Sequence, residues 1–471
     1  MKLIKAMTTI GGFTMLSRIA GFVRDIFTAA ILGAGPIADA FFVALKLPNL
    51  FRRITAEGAF SIAFVPLFSK ELEKNGEKSA IDFAREAQSM MVTVLMPFVI
   101  LMILAMPYVI AMIAPGFNNS GDDTGRYALA VSLSQITFPY ILWMSLTAMA
   151  GGILNAVNRF APFAAVPIIF NICLIFALAL SDKFNTHAGY AMSYGVFAAG
   201  ILQFAFMLWS LKRAGLSVKL QRPKLTPRIK KLFKLMGPGM IGAGAVQLNL
   251  LVDMILASTL PAGAVSYLYY ADRLYQLPLS VIGIAIGSAL LPMLSKALEK
   301  NDHMRAQTLF SQSIQFGLLL AIPAAVALSV IAAPIINVLF QRGAFDAVSM
   351  VQSSNALLVY AIGLPAFVLT KSLSMVFFAK EDIKTPVKFV LITVALNIIL
   401  GLILIGPFKH VGIAMATSIA AWVNCGLLAT AVLIRQKQFE LTSQTVKHVC
   451  GYIISALVMG VGLYLLWAQL L

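Results

Sequence analysis

The stretch "VPLFSKELEKN" at residues 65–75 reappears as "LPMLSKALEKN" at residues 291–301. The match extends outward, because "ADAFFVALKLP" at 38–48 resembles "ADRLYQLP" at 271–278 with a small gap. Further pairs lie about 223–226 residues apart: Pro139 with Pro365, Pro162 with Pro386, and "GYAM" at 189–192 with "GIAM" at 412–415. A repeat of this length indicates two copies of one large structural unit.

Composition assigns those units to a membrane. The chain has 471 residues, of which 60% are hydrophobic and 12% charged, and its mean hydropathy is +0.88. Soluble domains are not this apolar throughout, and apolar runs of about 18 or more residues recur along the whole length. The chain is therefore predicted to be an all-α polytopic membrane protein. Because Arg18 and Arg24 interrupt the first apolar region, we interpret it as a retained span and not as a signal peptide.

Apolar runs predict about thirteen spans. They lie near residues 6–32, 36–62, 88–115, 127–156, 160–181, 187–211, 232–260, 264–294, 308–340, 348–378, 385–405, 410–434 and 444–470. The repeat then covers about six spans, and an even number gives both copies the same orientation across the membrane. We expect two parallel-repeat six-helix lobes, 1–211 and 232–434, a basic linker at 212–231, and an extra C-terminal span within 435–471.

The positive charge follows the positive-inside pattern. The formal net charge is +17, and most Lys and Arg residues lie in loops after even-numbered spans, on the same side as Lys2 and Lys5. This predicts a cytoplasmic N-terminus. It also explains the charge without a nucleic-acid partner. The longest polar stretches, 69–87 and 212–231, are amphipathic and are expected to lie along the cytoplasmic face.

No catalytic arrangement is recognisable in the sequence. Cys173, Cys425 and Cys450 lie in apolar segments, which favours buried thiols over disulfides. The four histidines are scattered without the spacing of metal ligands. We therefore expect a transport protein and not an enzyme.

Charged residues within the predicted spans are the candidate functional residues, since such residues are costly in a bilayer. They concentrate in spans 1, 2 and 8: Arg18, Arg24, Asp25, Asp39, Lys46, Arg52, Arg53, Glu57, Asp272 and Arg273. Two alternatives stay open, namely an intrahelical ion pair between Arg53 and Glu57, and arginines that extend to the headgroups. Arginine exceeds acid in the set, and its planar fork suits phosphate. The pattern predicts an anionic, phosphate-bearing ligand held between the lobes, with Asp39 orienting or balancing an arginine.

The stretches "SRIAGFVRDIFTAAILGAGPIADAFFVALKLPNLFRR", "EGAFSIAFVPLFS", "YYADRLYQLPLSVIGIAIGSALLPMLS" and "LFQRGAF" closely resemble the MurJ (MviN) family. Members of this family are lipid II flippases of the MOP exporter superfamily. The resemblance implies an inner-membrane protein that moves undecaprenyl-diphosphate-disaccharide-pentapeptide to the periplasmic leaflet by alternating access, and we expect a monomer surrounded by membrane lipids. It also implies a substrate-binding set of Arg18, Arg24, Asp39, Arg52 and Arg273, with Arg53 and Glu57 in less defined roles.

Two further features bear on this resemblance. The family usually has fourteen spans, whereas thirteen are counted here. Asp253 in span 7 has no acidic counterpart in the repeat, and an isolated carboxylate in a span is a functional candidate. With Asn397 and Thr417 it could form a sodium site that resembles one known in the family. The alternative is a protonated or hydrogen-bonded Asp253.

Two other functions are alternatives. A multidrug or cation antiporter of the MATE type would have an acidic or aromatic-lined cavity, and the arginine surplus argues against it. A polyprenyl-glycan transferase would carry catalytic groups on a sizeable extracytoplasmic loop, but the longest such loops are short, "NNSGDDTGR" and "SDKFNTHAG".

Overall fold

The computed structural model describes residues 2–54, 60–118, 125–184, 186–435, 439–440 and 442–470, and the regular structure in these ranges is helical. The helices are α1 Lys2–Leu32, α2 Pro36–Ile54, α3 Ser61–Leu104, α4 Met106–Ile113, α5 Arg126–Thr137, α6 Tyr140–Ala156, α7 Ala161–Lys183, α8 Ala188–Arg213, α9 Pro227–Ser258, α10 Ala264–Glu299, α11 His303–Val330, α12 Ala332–Phe340, α13 Ala347–Phe378, α14 Lys384–Arg435 and α15 Ser443–Leu470. A short 3-10 turn, Pro115–Asn118, follows α4.

Side-chain caps fix where two of the helices begin. Asp302 Oδ1 accepts a hydrogen bond from the Arg305 backbone N–H at 3.0 Å, before α11. Asp346 Oδ1 accepts one from the Ser349 N–H at 2.8 Å, before α13. Each cap satisfies one of the first N–H groups that have no partner inside the helix. The hydrogen bonds from Ser349 hold the pKa of Asp346 below its ordinary value.

The amphipathic stretch at 69–87 and predicted span 3 form one helix. α3 runs from Ser61 to Leu104 and departs from helical geometry only at Gly76, with φ 79° and ψ 175°. Glycine adopts positive φ at no steric cost, so the two segments join without an intervening loop. The helix that contains predicted span 3 therefore begins at Ser61 and not near residue 88.

Breaks in other predicted spans fall at single residues. Spans 11 and 12 form α14, which is interrupted at Lys409, where φ is 51° and ψ is −131°. A break near this position was predicted. Spans 4 and 9 were predicted to be continuous, but the first divides beside Pro139 and the second at Ile331. Proline lacks the N–H that would continue the helical hydrogen bonds.

Among the described residues, eight helices are long and apolar enough to cross a membrane. The predicted number, about thirteen, is larger for two reasons. α14 counts once although Lys409 divides it. The helices α1, α2, α9 and α10 are not counted, because α1 and α2 each contain at least three charged residues and α9 and α10 are described only in part. The chain is a multi-pass membrane protein.

The chain divides into two compact units, the first consisting of Met1–Gly263 with Arg342–Phe345. In unit 1, α7 packs on α1 and α8, and α3 packs on α6 and α9. α2 packs on α5, α8 and α9. The fully buried Phe64 ring stacks on the rings of Phe60, Phe68 and Phe83 at 5.0–5.7 Å. Burial of these aromatic side chains stabilises the start of α3.

Unit 2 consists of Ala264–Gln341 and Asp346–Leu471. Its α13 packs on α10, α11, α12 and α14, and α15 packs on α11. Tyr275 of α10 stacks on Tyr360 and Phe367 of α13, with ring centroids 5.0 and 5.7 Å apart. The helix α13 is therefore the centre of this unit.

The segment Arg342–Phe345 packs on the end of α1. The Ala344 N–H donates to the Ala30 carbonyl at 2.8 Å. Gly33 and Gly343 have φ values of +67° and +57°. A Cβ at Gly33 would lie 2.3 Å from the Ala344 carbonyl oxygen, and a Cβ at Gly343 would lie 2.2 Å from the Ala30 carbonyl oxygen. Only glycine allows this approach.

The compact units differ from the predicted lobes in two helices and one short segment, since α9 and Arg342–Phe345 belong to unit 1 and α15 belongs to unit 2. α9 packs on α2, α3 and α4 and so belongs to unit 1, although the repeat assigns span 7 to the second copy. A compact unit is defined by contacts between helices, whereas a repeat is defined by similarity of sequence, so the two need not share boundaries. The predicted lobe boundaries at 211, 232 and 434 therefore stay predictions.

Candidate functional site

Arg24 of α1 is held by two side chains. Its Nη2 donates to Asp25 Oδ1 at 2.6 Å, and its Nη1 donates to Asn171 Oδ1 of α7 at 3.0 Å. Asn171 Nδ2 in turn donates to the Ser17 carbonyl at 3.0 Å. The Arg24 and Asp25 side chains are 11% and 5% exposed. The direction of the guanidinium is thus set before any ligand arrives, which lowers the entropy cost of binding an anion.

The other predicted basic residues of unit 1 differ in exposure. Arg18, Lys46 and Arg52 are half-buried, whereas Arg53 is exposed. Arg52 and Arg53 occupy the last turn of α2, where the helix dipole favours positive charge. Glu57 lies outside the described residues, so its pair with Arg53 stays a prediction.

Asp39 lies at the start of α2 and makes a buried ion pair. Its side chain is fully buried, and Oδ2 accepts from the Gly263 N–H at 2.7 Å. Arg126 Nη1 lies 3.6 Å from the same oxygen, and the Arg126 guanidinium lies 4.6 Å from the Phe117 ring centroid. The structure pairs Asp39 with Arg126, and the predicted role of Asp39, to orient or balance an arginine of the cavity, stays a prediction. Arg126 lies just before predicted span 4 and is not among the candidate residues of the sequence.

Arg273 of α10 lies in unit 2 and is half-buried. Its Cζ is 4.6 Å from the centroid of the Tyr269 ring, one turn earlier. The neighbouring Asp272 accepts a hydrogen bond from Gln276. The face of the Tyr269 ring thus attracts the Arg273 guanidinium and leaves its positive charge in place.

The residues of the predicted sodium site lie in both units. Asp253 is half-buried near the end of α9 in unit 1. Asn397 and Thr417 are buried in α14 of unit 2, and Thr417 Oγ1 donates to the Ile413 carbonyl at 3.1 Å. Whether these three residues bind an ion stays a prediction.

A charged cluster on α3 and α9 was not predicted. Arg228 Nη1 lies 3.0 Å from Glu71 Oε1, and its Nη2 lies 2.9 Å from Glu86 Oε1. Thr226 donates to Glu86 Oε2 at 2.7 Å, and Ser79 donates to Glu71 Oε1 at 2.6 Å. Hydrogen bonds, the one from Ser79 above all, hold the pKa of Glu71 below its ordinary value. One arginine thus joins Glu71 and Glu86 of α3 to the start of α9.

The predicted basic linker is helical only at its ends, since α8 ends at Arg213 and α9 begins at Pro227. The non-helical stretch between them is hydrogen-bonded to α3. Arg85 Nη2 donates to the Ser217 carbonyl at 3.0 Å, and the Gln221 N–H donates to Ser89 Oγ at 2.9 Å. The linker therefore follows the polar part of α3.

Comparison with known proteins identifies the family. A family model described as "Lipid II flippase MurJ" matches residues 28–470. The chain belongs to this family. A protein of Rhizobium meliloti (strain 1021), named probable lipid II flippase MurJ, is 43% identical over 468 residues, which cover 98% of this chain and 86% of that protein. The protein of the same name from Rickettsia prowazekii (strain Madrid E) is 40% identical over 91% of this chain and 83% of its own length.

Solved structures confirm the fold of this MurJ family member. A lipid II flippase MurJ in an inward closed conformation superimposes with a TM-score of 0.82, is 28% identical, and the match covers 97% of this chain and 92% of that one. An inward-facing multidrug resistance MATE transporter of the MOP superfamily gives a TM-score of 0.75 over 93% of this chain and 99% of that one. At 12% identity this likeness concerns the fold alone. The predicted all-α, MOP/MATE-like architecture is confirmed.

Proposed function

We propose that this chain moves lipid II, the undecaprenyl-diphosphate-linked disaccharide-pentapeptide of peptidoglycan synthesis, from the cytoplasmic to the periplasmic leaflet. Membership of the MurJ family supports this function. The positive-inside pattern supports an inner-membrane protein with a cytoplasmic N-terminus. It acts as a monomer among membrane lipids, and as a transporter it needs no catalytic residue.

The fixed guanidinium of Arg24 carries the mechanism. Arg24, Arg52 and Arg273 bind the diphosphate as it passes through the membrane, since arginine offers paired donors that match phosphate oxygens. Asp25 and Asn171 hold Arg24 in place. Binding lowers the cost of moving two phosphate charges through an apolar medium. The prenyl chain stays in lipid, and alternating access releases the head group on the other side.

A MATE-type antiporter is the main rival, because the fold is shared. It would bind cationic compounds, for which acidic or aromatic residues are the suitable lining. The arginine surplus in α1, α2 and α10 favours an anion.

Lipid II translocation by purified protein in reconstituted vesicles tests the proposal. Wild type should move lipid II, and Ala in place of Arg24, Arg52 or Arg273 should abolish transport while the protein still inserts. Lys should restore only part of the activity, since it lacks the planar fork. Transport of lipid II by the triple Ala variant at the wild-type rate would refute the binding role, and absence of transport by wild type would refute the function.

A further inference from the structure

Lys371 of α13 is a basic residue of unit 2 that lies inside predicted span 10. Its side chain crosses α10 at Gly283. A Cβ atom at Gly283 would lie 2.7 Å from Lys371 Cε and 2.8 Å from its Cδ, closer than two carbon atoms can approach without displacement. Lys371 is nevertheless exposed. The absence of a side chain at Gly283 therefore makes room for the lysine stem.

Aromatic and glycine contacts define the register of the two helices. Tyr275 contacts Phe367, Gly283 contacts Lys371, and one turn later a Cβ at Gly287 would lie 3.9 Å from Met375 Cε. The partner number rises along both helices, so α10 and α13 run in the same direction. Lys371 is thus level with Gly283, which follows Arg273 by ten residues. At about 1.5 Å per residue, it lies about 15 Å along α10 from Arg273.

The same helical geometry places Lys371 beside the polar face of α10. At about 100° per residue, Gly283 lies about 20° from Gln276 and about 80° from Arg273. Ser280 lies between Gln276 and Arg273 on this wheel, about 20° from the arginine. Charged and amide side chains in a membrane protein face water or protein, not lipid. The stem of Lys371 therefore reaches the edge of the face that carries Arg273.

A lysine that only extends to the lipid headgroups would follow its own helix toward the nearer end. Lys371 instead extends sideways over the backbone of a neighbouring helix. Its position lies between Arg273 and the end of α13 that the loop charges predict to be cytoplasmic.

We propose that Lys371 is a further substrate-binding residue, which contacts the diphosphate on the cytoplasmic side before the head group reaches Arg273. The proposal rests on the proposed function. The separation of about 15 Å means that the two cations act in succession and not on one phosphate at once. A lysine suits the first contact, because its ammonium is a mobile point charge that does not require one fixed ligand geometry.

Lipid II binding to the full-length protein in detergent or nanodiscs tests this step. Lys371→Met should weaken the affinity about three- to tenfold and should reduce its dependence on salt, since one screened charge contact is lost. Lys371→Arg should stay within about twofold of wild type. Gly283→Ala should resemble Lys371→Met, because the added Cβ displaces the stem. The exposed Lys388 of α14 gives a matched control, and Lys388→Met should bind as wild type does.

Equal affinities for Lys371→Met and Lys388→Met would overturn the proposal. If Gly283→Ala does not fold, the affinities of Lys371→Met and Lys388→Met still test the proposal, because neither measurement depends on the glycine variant. If wild type translocates lipid II while Lys371→Met has normal affinity and salt dependence, the proposed function stands and the lysine contact fails. If wild type neither binds nor moves lipid II, the function itself fails.

Discussion

Asn171 of α7 connects Arg24 to the backbone of α1. Its amide oxygen accepts from the guanidinium, and its amide nitrogen donates to the Ser17 carbonyl, about two turns before Arg24 on the same helix. The pair therefore fixes a candidate ligand residue and the packing of α1 on α7 at once. An amide is well suited to this, since it offers a donor and an acceptor on one planar group.

We expect Asn171→Leu to reduce lipid II transport about tenfold. The substitution leaves Arg24 paired with Asp25 but removes the hydrogen bond that positions its Nη1, and a misplaced binding group is costly to function. Transport in vesicles and thermal stability in detergent should be measured together. Gln203 of α8 provides the control, because it is buried and its amide donates to the Val166 carbonyl without contacting a charged residue. Gln203→Leu should lower stability with little effect on transport; equal transport losses in both variants would argue against a specific role for Asn171.

Asp39 and Arg126 should behave as one unit in stability. Removing one partner of a buried ion pair leaves an uncompensated charge, and costs about 3–5 kcal/mol. Asp39→Asn and Arg126→Met should each lower the melting temperature, and the double variant should lose less than the sum of the two. Additive losses would show that the pair is not coupled.

Asp39→Asn should also reduce transport while lipid II binding stays largely intact. The carboxylate is fully buried against Gly263 and Arg126, which suits a positioning role. Binding assays on Asp39→Asn and Arg24→Ala side by side measure the difference. Loss of binding as complete as in Arg24→Ala would instead indicate substrate contact by Asp39.

The contribution of Glu71 to stability should depend on pH. Its pKa in the folded protein is lowered from the ordinary value of 4.5, so the folded state binds its proton less readily than the unfolded state does. This stabilisation is complete above the ordinary value and is lost as pH falls through the folded pKa. The melting temperature of Glu71→Gln should therefore be below that of wild type at pH 7, and the difference should shrink below about pH 4.5. The exposed Glu73 provides the control Glu73→Gln, and a difference that is constant with pH would contradict the assignment.

Lys409→Gly should stabilise the protein by about 1 kcal/mol. The backbone at Lys409 lies at φ 51° and ψ −131°, a region that costs about 1–3 kcal/mol for a residue with a Cβ. Glycine removes that strain but loses more entropy on folding, so part of the gain cancels. Lys409→Ala keeps the Cβ and should give no increase in melting temperature. A gain in Lys409→Ala equal to that in Lys409→Gly would assign the effect to the lost charge.

The fold was largely predictable because the sequence features that indicate it, the internal repeat and the apolar runs, recur along the chain. The matching stretches at 65–75 and 291–301 and the long apolar runs predicted helices and their orientation from local features. The breaks at Ile331 and beside Pro139 were not predicted, since the surrounding residues are as apolar as the rest of the span. The continuity of α3 through Gly76 was not predicted either, because a glycine in a polar stretch is compatible with a loop as well as with a bend in a helix.

The candidate site was predictable only in its charges. The arginines stand out in apolar segments, but their partners lie far away along the chain. Asn171 is a single amide in predicted span 5, and only the packing of α7 on α1 brings it to Arg24. Lys371 gave a signal, as a charge inside span 10, yet its meaning depends on the glycine that faces it from α10.

The segment Arg342–Phe345 also constrains the order of biosynthesis. Unit 1 includes these residues, but the ribosome reaches them only after α10, α11 and α12 have been translated. At about 5–20 residues per second, the 82 residues from 264 to 345 require about 4–16 s beyond the end of α9. During those seconds the end of α1, including Gly33, lacks the segment Arg342–Phe345 that packs on it in the complete protein. Completion of the first half of this flippase therefore waits for the synthesis of the second.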